Sequence, residues 1–92
     1  MSKVTLKGFI TVADDDIINV LNELSNHIKL TRKEPGCLVF NVTQDEENRH
    51  RFNVYEEFKN KESFTLYQSR VRNSLWGKIT KNVERSYNVE GL

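Results

Sequence analysis

The sequence predicts an α+β domain in which helices cover one face of a four-stranded antiparallel sheet. With 92 residues, the chain has room for one hydrophobic core, so the predicted domain spans residues 1–92. Apolar residues alternate in some segments, as in strands, and recur at helical spacing in the segments between them. These segments follow one another in the order β-α-β-β-α-α-β, which is typical of a ferredoxin-like fold.

The first predicted strand has one inward face, formed by Val4, Leu6, Gly8, Ile10 and Val12. Asp14 to Asp16 then supply an N-cap and negative charge for the first turn of a helix. The Pro35-Gly36 pair ends this helix. Its apolar stripe recurs at helical spacing and consists of Ile17, Leu21, Leu24 and Ile28.

Two further strands are predicted in the middle of the chain. One side of the second strand carries Leu38, Phe40 and Val42. A polar turn over residues 45–49 leads to the third strand, which runs from Arg51 to Phe58. Alternation places an acidic residue, Glu56, on the inward face of this strand, where it joins Phe52, Val54 and Phe58.

The last third of the chain is predicted to contain two helical stretches and a short strand. The second helix opens over residues 59–62, and its apolar side consists of Phe64, Tyr67 and Val71. A further helical stretch carries Leu75, Trp76, Ile79 and Val83. The final strand covers Arg85 to Val89.

The outer face of the sheet predicts self-association. Helices on one face leave the other face to find cover. By alternation, that outer face carries apolar or aromatic groups, namely Phe9, Val39, Tyr55 and Tyr87. The hydrophobic content of 37% is modest for so small a domain, which also favours burial against a second copy. We therefore predict a C2 homodimer.

Composition excludes several classes of partner. The net charge of +1 does not favour nucleic acid. No apolar run reaches membrane-spanning length and no apolar leader precedes the first strand, so we expect a cytoplasmic protein without a membrane partner. A lone Cys37 excludes an intrachain disulfide and is expected to act as a small buried hydrophobe.

No cofactor is predicted either. The motif G-x-G-x-x-G is absent after the first strand, which argues against flavin and nicotinamide. His27 and His50 fall in different elements without a partner at ligand spacing, so no metal site is predicted.

Two stretches of the chain together carry a family resemblance. A Pro-Gly break feeds a strand in Glu34-Pro35-Gly36-Cys37-Leu38-Val39-Phe40, and an aromatic strand with an inward carboxylate follows in Arg51-Phe52-Asn53-Val54-Tyr55-Glu56-Glu57-Phe58. With the helices on either side, nearly the whole chain resembles the antibiotic biosynthesis monooxygenase superfamily. This resemblance implies a dimeric α+β barrel with a pocket between the sheet and the helices of each protomer.

The resemblance argues against haem degradation. Haem-degrading members use an Asn, a Trp and a His at positions that correspond here to Gly8, Phe58 and Tyr67. Quinol-oxygenase-like members carry a His where this chain has Tyr67 and a second one where it has Arg72. Tyr67 is therefore either a pocket residue or an aromatic ring packed in the core, and the two interpretations carry equal weight.

The candidate catalytic residues are His27, Glu56 and Tyr67. The pair Asn26-His27 resembles an Asn-His in the branch that isomerises autoinducer-2 derivatives, and a neutral imidazole could move protons there. An inward Glu56 needs a partner or a raised pKa, so it is a candidate base or a structural anchor that orients a helix residue, His27 or Tyr67, by a hydrogen bond, with the anchor favoured.

Substrate binding is assigned to Phe58, Arg72 and Trp76. Phe58 is predicted to form the floor of the pocket, and an arginine at the mouth would suit an anionic substrate. At helical spacing, Trp76 is also typical of a core residue.

Three functions remain open. The first is a cofactor-independent monooxygenase that acts on a small phenol or quinol. The second is an isomerase of a phosphorylated autoinducer-2-type ketone, and the third is a non-catalytic dimeric ligand-binding protein. Basic groups at the pocket mouth would favour the isomerase, whereas an apolar pocket that contains Tyr67 would favour the oxygenase.

Overall fold

A four-stranded antiparallel sheet forms the frame of the computed structural model, which describes residues 3–92. The strands lie in the order β2-β3-β1-β4. Along the chain, the elements are β1 (Val4–Thr11), α1 (Asp14–Arg32), β2 (Cys37–Gln44), β3 (Arg51–Phe58), α2 (Lys61–Arg72), α3 (Leu75–Ile79) and β4 (Glu84–Glu90). This order confirms the predicted ferredoxin-like α+β fold.

The two central strands supply most of the sheet's share of the core. β1 and β3 pair without a break, from Val4 opposite Phe58 to Thr11 opposite Arg51. Their inward residues alternate as the sequence predicted, and the buried apolar ones are Val4, Leu6, Ile10, Phe52, Val54 and Phe58. Burial of each such side chain stabilises the fold by roughly 1.5–3 kcal/mol before the loss of chain entropy is counted.

A β-bulge changes the phase of β2. Cys37 pairs with Phe58, but Val39 already pairs with Glu57, so one extra residue stands between them. That residue, Leu38, is 55% exposed, whereas Phe40 and Val42 are buried. The prediction that Leu38 shares their inward face is therefore wrong. Cys37 is partly buried and packs against the core.

The buried stripe of α1 is rotated from the predicted one. Leu21 is 40% exposed, and the buried residues are Ile17, Val20, His27 and Thr31. Thr31 is tolerated inside because its hydroxyl donates to the His27 carbonyl oxygen at 2.8 Å. The rotation brings His27 from the flank of the predicted stripe into the buried one.

The start of α1 also differs from the prediction. The residue at the N-cap is Ala13, whose side chain makes no capping bond. Asp14 to Asp16 lie in the first turn, where their charge still complements the helix dipole.

The short helix α3 brings Trp76 against α1. Ser74 caps it by accepting a hydrogen bond from the Gly77 amide at 3.1 Å. A Cβ on Gly77 would lie 2.2 Å from the Val71 carbonyl oxygen, so only glycine allows α3 to turn this closely against the end of α2. The helix ends at Ile79, and Val83 is buried beyond it rather than within it, contrary to the prediction.

Strand β4 turns a predicted outer residue inward. Tyr87 lies opposite Gly8 and Arg85 lies opposite Ile10, and directly opposed residues share a face of the sheet. Both side chains therefore lie on the helix side, and the prediction that Tyr87 is on the outer face is wrong. A Cβ on Gly8 would lie 1.9 Å from the Ser86 carbonyl oxygen, so glycine permits this close approach of β4.

The outer face keeps three of the four predicted groups. Phe9, Val39 and Tyr55 are each partly exposed there. The Arg51 guanidinium lies 3.8 Å from the centroid of the Phe9 ring, so the face mixes aromatic and charged groups. Among residues 3–92, no helix combines the length and the hydropathy that crossing a membrane requires.

The different environments of Phe52 and Leu38 give a prediction on stability. Phe52→Ala should lower the free energy of unfolding by about 3–5 kcal/mol, because it leaves a cavity in the core. Leu38→Ala should change it by less than about 0.5 kcal/mol, because that side chain is largely in water. Urea denaturation of both variants measures the difference. A comparable loss in Leu38→Ala would contradict the bulge.

Candidate active site

A cavity of about 350 Å³ lies between the inward face of the sheet and the three helices. This volume falls at the lower end of the range for small-molecule sites. Its walls combine apolar and aromatic side chains with polar ones, and the buried apolar ones include Leu6, Ile10, Phe40, Val42, Val54 and Trp76.

The three predicted catalytic residues all line this cavity. His27 comes from α1, Glu56 from β3 and Tyr67 from α2, so the fold brings them together from distant parts of the chain. Each is at most 7% exposed. Their catalytic roles stay predictions.

Glu56 is a carboxyl group held almost entirely out of water. It lies on the inward face of β3 and is 4% exposed. Burial raises its pKa to about 8, and a hydrogen bond from Tyr67 opposes that rise only in part. Among the described residues its Oε1 atom has no hydrogen-bond partner. At neutral pH the carboxyl group is therefore mostly protonated, and it becomes a base slightly above neutrality.

Tyr67 acts as a hydrogen-bond donor to Glu56. Its hydroxyl donates to Oε2 of Glu56 across a long 3.5 Å, and its ring stacks on Phe58 with centroids 4.9 Å apart. Burial is the main cause that holds its pKa well above 10, and nearby Glu56 adds to the effect. The phenol therefore stays protonated, so Tyr67 can donate a hydrogen bond but cannot serve as the base.

His27 is a neutral imidazole inside an aromatic cage. Its ring stacks on Trp76 with centroids 4.3 Å apart and planes 3° from parallel, and it meets Phe40 edge-on at 5.3 Å. Burial, followed by the positive charge of Arg70, lowers its pKa to about 3. Its Nδ1 atom has no hydrogen-bond partner in the part of the chain described. Of the two helix residues that Glu56 was expected to orient, the structure shows a hydrogen bond with Tyr67 and none with His27 among the described residues.

Arg70 holds α2 against the end of α1. It donates to the Thr31 hydroxyl at 3.0 Å and forms an ion pair with Glu34. Its guanidinium lies 5.9 Å from the centroid of the Tyr67 ring. The cation therefore stands just behind the cavity, where it disfavours a charged His27.

The three predicted substrate-binding residues occupy different places. Trp76 lines the cavity and is buried, and Arg72 lines it from an exposed position in the last turn of α2. Phe58 does not line the cavity. It is fully buried and packs behind Tyr67, so it supports the wall rather than forming the floor.

Two residues of β4 complete the site and were not identified from the sequence. Tyr87 lines the cavity with 41% of its surface exposed, and partial burial is the main cause that raises its pKa to about 12. Arg85 lines the cavity too, and its guanidinium donates to the carbonyl oxygens of Thr80 at 2.9 Å and Val83 at 3.3 Å. Only the pairing of β4 with β1 indicates that these side chains point inward.

The described residues offer no ready-made metal centre. Within residues 3–92, no three His, Cys, Asp or Glu side chains lie close enough together to hold a metal ion.

The chain belongs to the antibiotic biosynthesis monooxygenase family. The model of the family with that description matches residues 4–71, which run from the start of β1 almost to the end of α2. No curated protein matches the chain at a significant level.

Solved structures share the fold at low sequence identity. A candidate antibiotic biosynthesis monooxygenase from Nitrosomonas europaea superposes with a TM-score of 0.79 at 15% identity, covering 99% of this chain and 90% of that chain. One from Deinococcus radiodurans gives 0.79 at 18% identity, with 97% and 91% covered. A protein of unknown function from Bacteroides thetaiotaomicron, suggested to be an oxidoreductase, gives 0.77 at 17% identity, with 99% and 98% covered.

The two buried titratable groups predict opposite effects of pH on stability. The pKa of His27 falls from 6.5 to about 3 on folding, so the free energy of unfolding decreases as pH drops between these values. The pKa of Glu56 rises from 4.5 to about 8 on folding, so stability falls as pH rises between these values. In the pH range between its unfolded and its folded pKa, each group changes the free energy of unfolding by about 1.4 kcal/mol per pH unit.

Chemical denaturation at a series of pH values tests this balance. The wild type should be most stable between about pH 4.5 and 6.5, where the two slopes cancel. Glu56→Gln should remove the decline from pH 6.5 to 8, and Glu62→Gln, an exposed control, should not. A wild-type stability that does not fall over that interval would show that Glu56 is not buried as described.

Proposed function

We propose that this protein is a monooxygenase that oxidises a small phenol or quinol with dioxygen, without a metal or organic cofactor. The observation that supports this function is the buried Glu56, whose pKa of about 8 suits a general base near neutral pH. Within residues 3–92 its Oε1 atom has no hydrogen-bond partner, and Glu56 lines the cavity, where a substrate hydroxyl could reach that atom.

The first step is proton transfer from the substrate hydroxyl to the Glu56 carboxylate. Tyr67 donates its hydrogen bond to the other carboxyl oxygen and so keeps Oε1 available for this transfer. The negative charge then lies on the substrate oxygen. A neutral His27 can donate an N–H hydrogen bond to this oxyanion, since its own pKa of about 3 prevents it from competing for the proton.

The second step uses the electrons of the substrate anion. The phenolate gives one electron to dioxygen, and the two radicals combine to form a carbon–oxygen bond at a ring carbon that bears hydrogen. The peroxide accepts the proton held by Glu56. Glu56 then removes the hydrogen from that carbon, the oxygen–oxygen bond breaks, and hydroxide leaves as water once it is protonated. The products are a quinone and water, so the substrate supplies every electron.

A second candidate function is isomerisation of an anionic hydroxyketone through an enediol. Arg72 and Arg85 at the cavity favour it, because two cations would suit a phosphorylated substrate. Glu56 would carry the proton, since an imidazole with a pKa of about 3 is too weak a base for that task.

The rate should depend on pH through Glu56. For oxidation of a quinol followed by oxygen consumption, kcat/KM should rise with pH and level off above an apparent pKa near 8. Glu56→Gln should lower it by about 10²–10⁴-fold, the usual contribution of a general base. The exposed Glu62→Gln should leave it unchanged. A flat profile between pH 6 and 9 would contradict the assignment of Glu56 as base.

Tyr67→Phe separates the base from its hydrogen-bond donor. Because the bond from Tyr67 lowers the pKa of Glu56, its removal should move the pH profile to higher pH and slow the reaction at neutrality. An unchanged profile would mean that the 3.5 Å contact has no role in the reaction.

We also propose a homodimer formed through the outer face of the sheet. Its support is the row of partly exposed Phe9, Val39 and Tyr55 on a face that no helix covers. Val39→Glu should shift the protein toward monomer, because a charge would be buried at the interface. Leu66→Glu, on the outer side of α2 where Leu66 is 68% exposed, is the control. Sedimentation that finds a stable wild-type monomer at micromolar concentration would refute the dimer.

A further inference from the structure

We propose that the substrate is an aromatic compound with a hydroxyl at one end and an anionic group at the other, the anionic group being held by Arg72 and Arg85. This inference rests on the proposed function, since it names the substrate class of the same cavity. Three features of the cavity carry it: its depth, the unbalanced charge at its mouth, and the way Arg85 is held.

The lining residues divide by depth. Glu56, the proposed base, and Tyr67, its hydrogen-bond donor, are buried at the inner end, together with His27. Arg72 and Arg85 line the same cavity but are exposed to solvent, so they frame its mouth. A bound molecule would therefore meet hydrogen-bonding groups at its inner end, aromatic and aliphatic walls along its length, and cations at its outer end.

No ion pair among residues 3–92 balances the positive charge at the mouth. Of the described residues, Glu56 alone is an acidic residue that lines the cavity. In the part of the chain described, neither Arg72 nor Arg85 forms an ion pair, whereas Arg49 pairs with Asp14 and Arg70 pairs with Glu34. Two unpaired guanidinium groups beside an apolar cavity attract an anion more strongly than cations on an open surface, because the apolar walls displace water.

Arg85 is held in place by groups that leave its charge uncompensated. The carbonyl oxygens of Thr80 and Val83 accept from its two terminal nitrogens, and both acceptors are neutral. The pairing of β4 with β1 also fixes its backbone opposite Ile10. A guanidinium that is already oriented loses less conformational freedom when it binds a carboxylate, which increases affinity.

The two ends of the cavity together set the orientation of the substrate. The unpartnered Oε1 of Glu56 would receive the hydroxyl, and the arginines would hold the anionic group at the mouth. The ring that carries the hydroxyl then lies at the inner end of the cavity, near His27 and away from water. A phenol without the anionic group would bind more weakly and in several orientations.

Binding of two matched probes to the full chain tests the inference without turnover. The probes are naphthol and a hydroxynaphthoate whose hydroxyl and carboxylate lie on opposite rings, and calorimetry without dioxygen measures their affinities. We expect the hydroxynaphthoate to bind about tenfold more tightly at low salt, and added salt to reduce the difference. Arg85→Gln should remove most of this preference and leave naphthol binding unchanged. Arg72→Gln should remove part of it, and Arg49→Gln, at the hairpin, should have no effect.

The outcomes separate this inference from the proposed oxygenase. Equal affinities for the two probes, no binding of either, or an equal loss of both in Arg85→Gln would overturn the inference. If Arg85→Gln does not fold, Arg72→Gln replaces it in the test: an equal loss of affinity for both probes in that variant would overturn the inference. A hydroxynaphthoate that binds with the expected preference but consumes no dioxygen when air is admitted would support the anion site while contradicting the oxygenase. Oxidation of naphthol by a protein that binds the two probes equally would support the oxygenase while contradicting the anion site.

Discussion

The packing that builds the core of this protein also forces a carboxyl group out of water. Glu56 lies between Val54 and Phe58 on the inward face of β3, and antiparallel pairing with β1 and β2 fixes that face. A slip by one residue would expose Glu56, but it would also expose every apolar residue that β3 contributes to the core. The free energy of the hydrophobic core therefore offsets the cost of burying Glu56, and its pKa of about 8 follows from that burial.

The surrounding elements adapt the cavity to this carboxyl group. Tyr67 gives it one hydrogen bond, and burial against Trp76 and Phe40 keeps His27 neutral elsewhere in the lining. None of these groups carries a full charge near neutral pH, so the inner end of the cavity can be apolar and still hold donors and acceptors. The charges stand at the mouth, where Arg72 and Arg85 are exposed to water.

Much of this arrangement could be predicted from patterns in the chain. Alternation in β1 and β3 is regular, so the inward position of Glu56 was predicted correctly. The stripe of α1 was harder to predict, because it includes His27 and Thr31, polar residues that apolar periodicity does not count. A search for apolar residues at helical spacing selected Leu21 instead, although Leu21 is 40% exposed. Neither the bulge in β2 nor the inward face of β4 can be identified from the pattern of apolar and polar residues in the strand itself.

Local periodicity was sufficient for the class of fold, the order of its elements and the inward carboxyl group. These features depend on each segment's own contrast between apolar and polar residues, which the chain carries locally. Tertiary structure decided that Leu38 points to water, that Tyr87 and Arg85 line the cavity, and that His27 stacks on Trp76. Each depends on the partner that a segment meets: the register of β4 comes from its pairing with β1, and the environment of His27 comes from the position of α3. A polar edge strand such as β4 contains too few apolar residues to set its own phase.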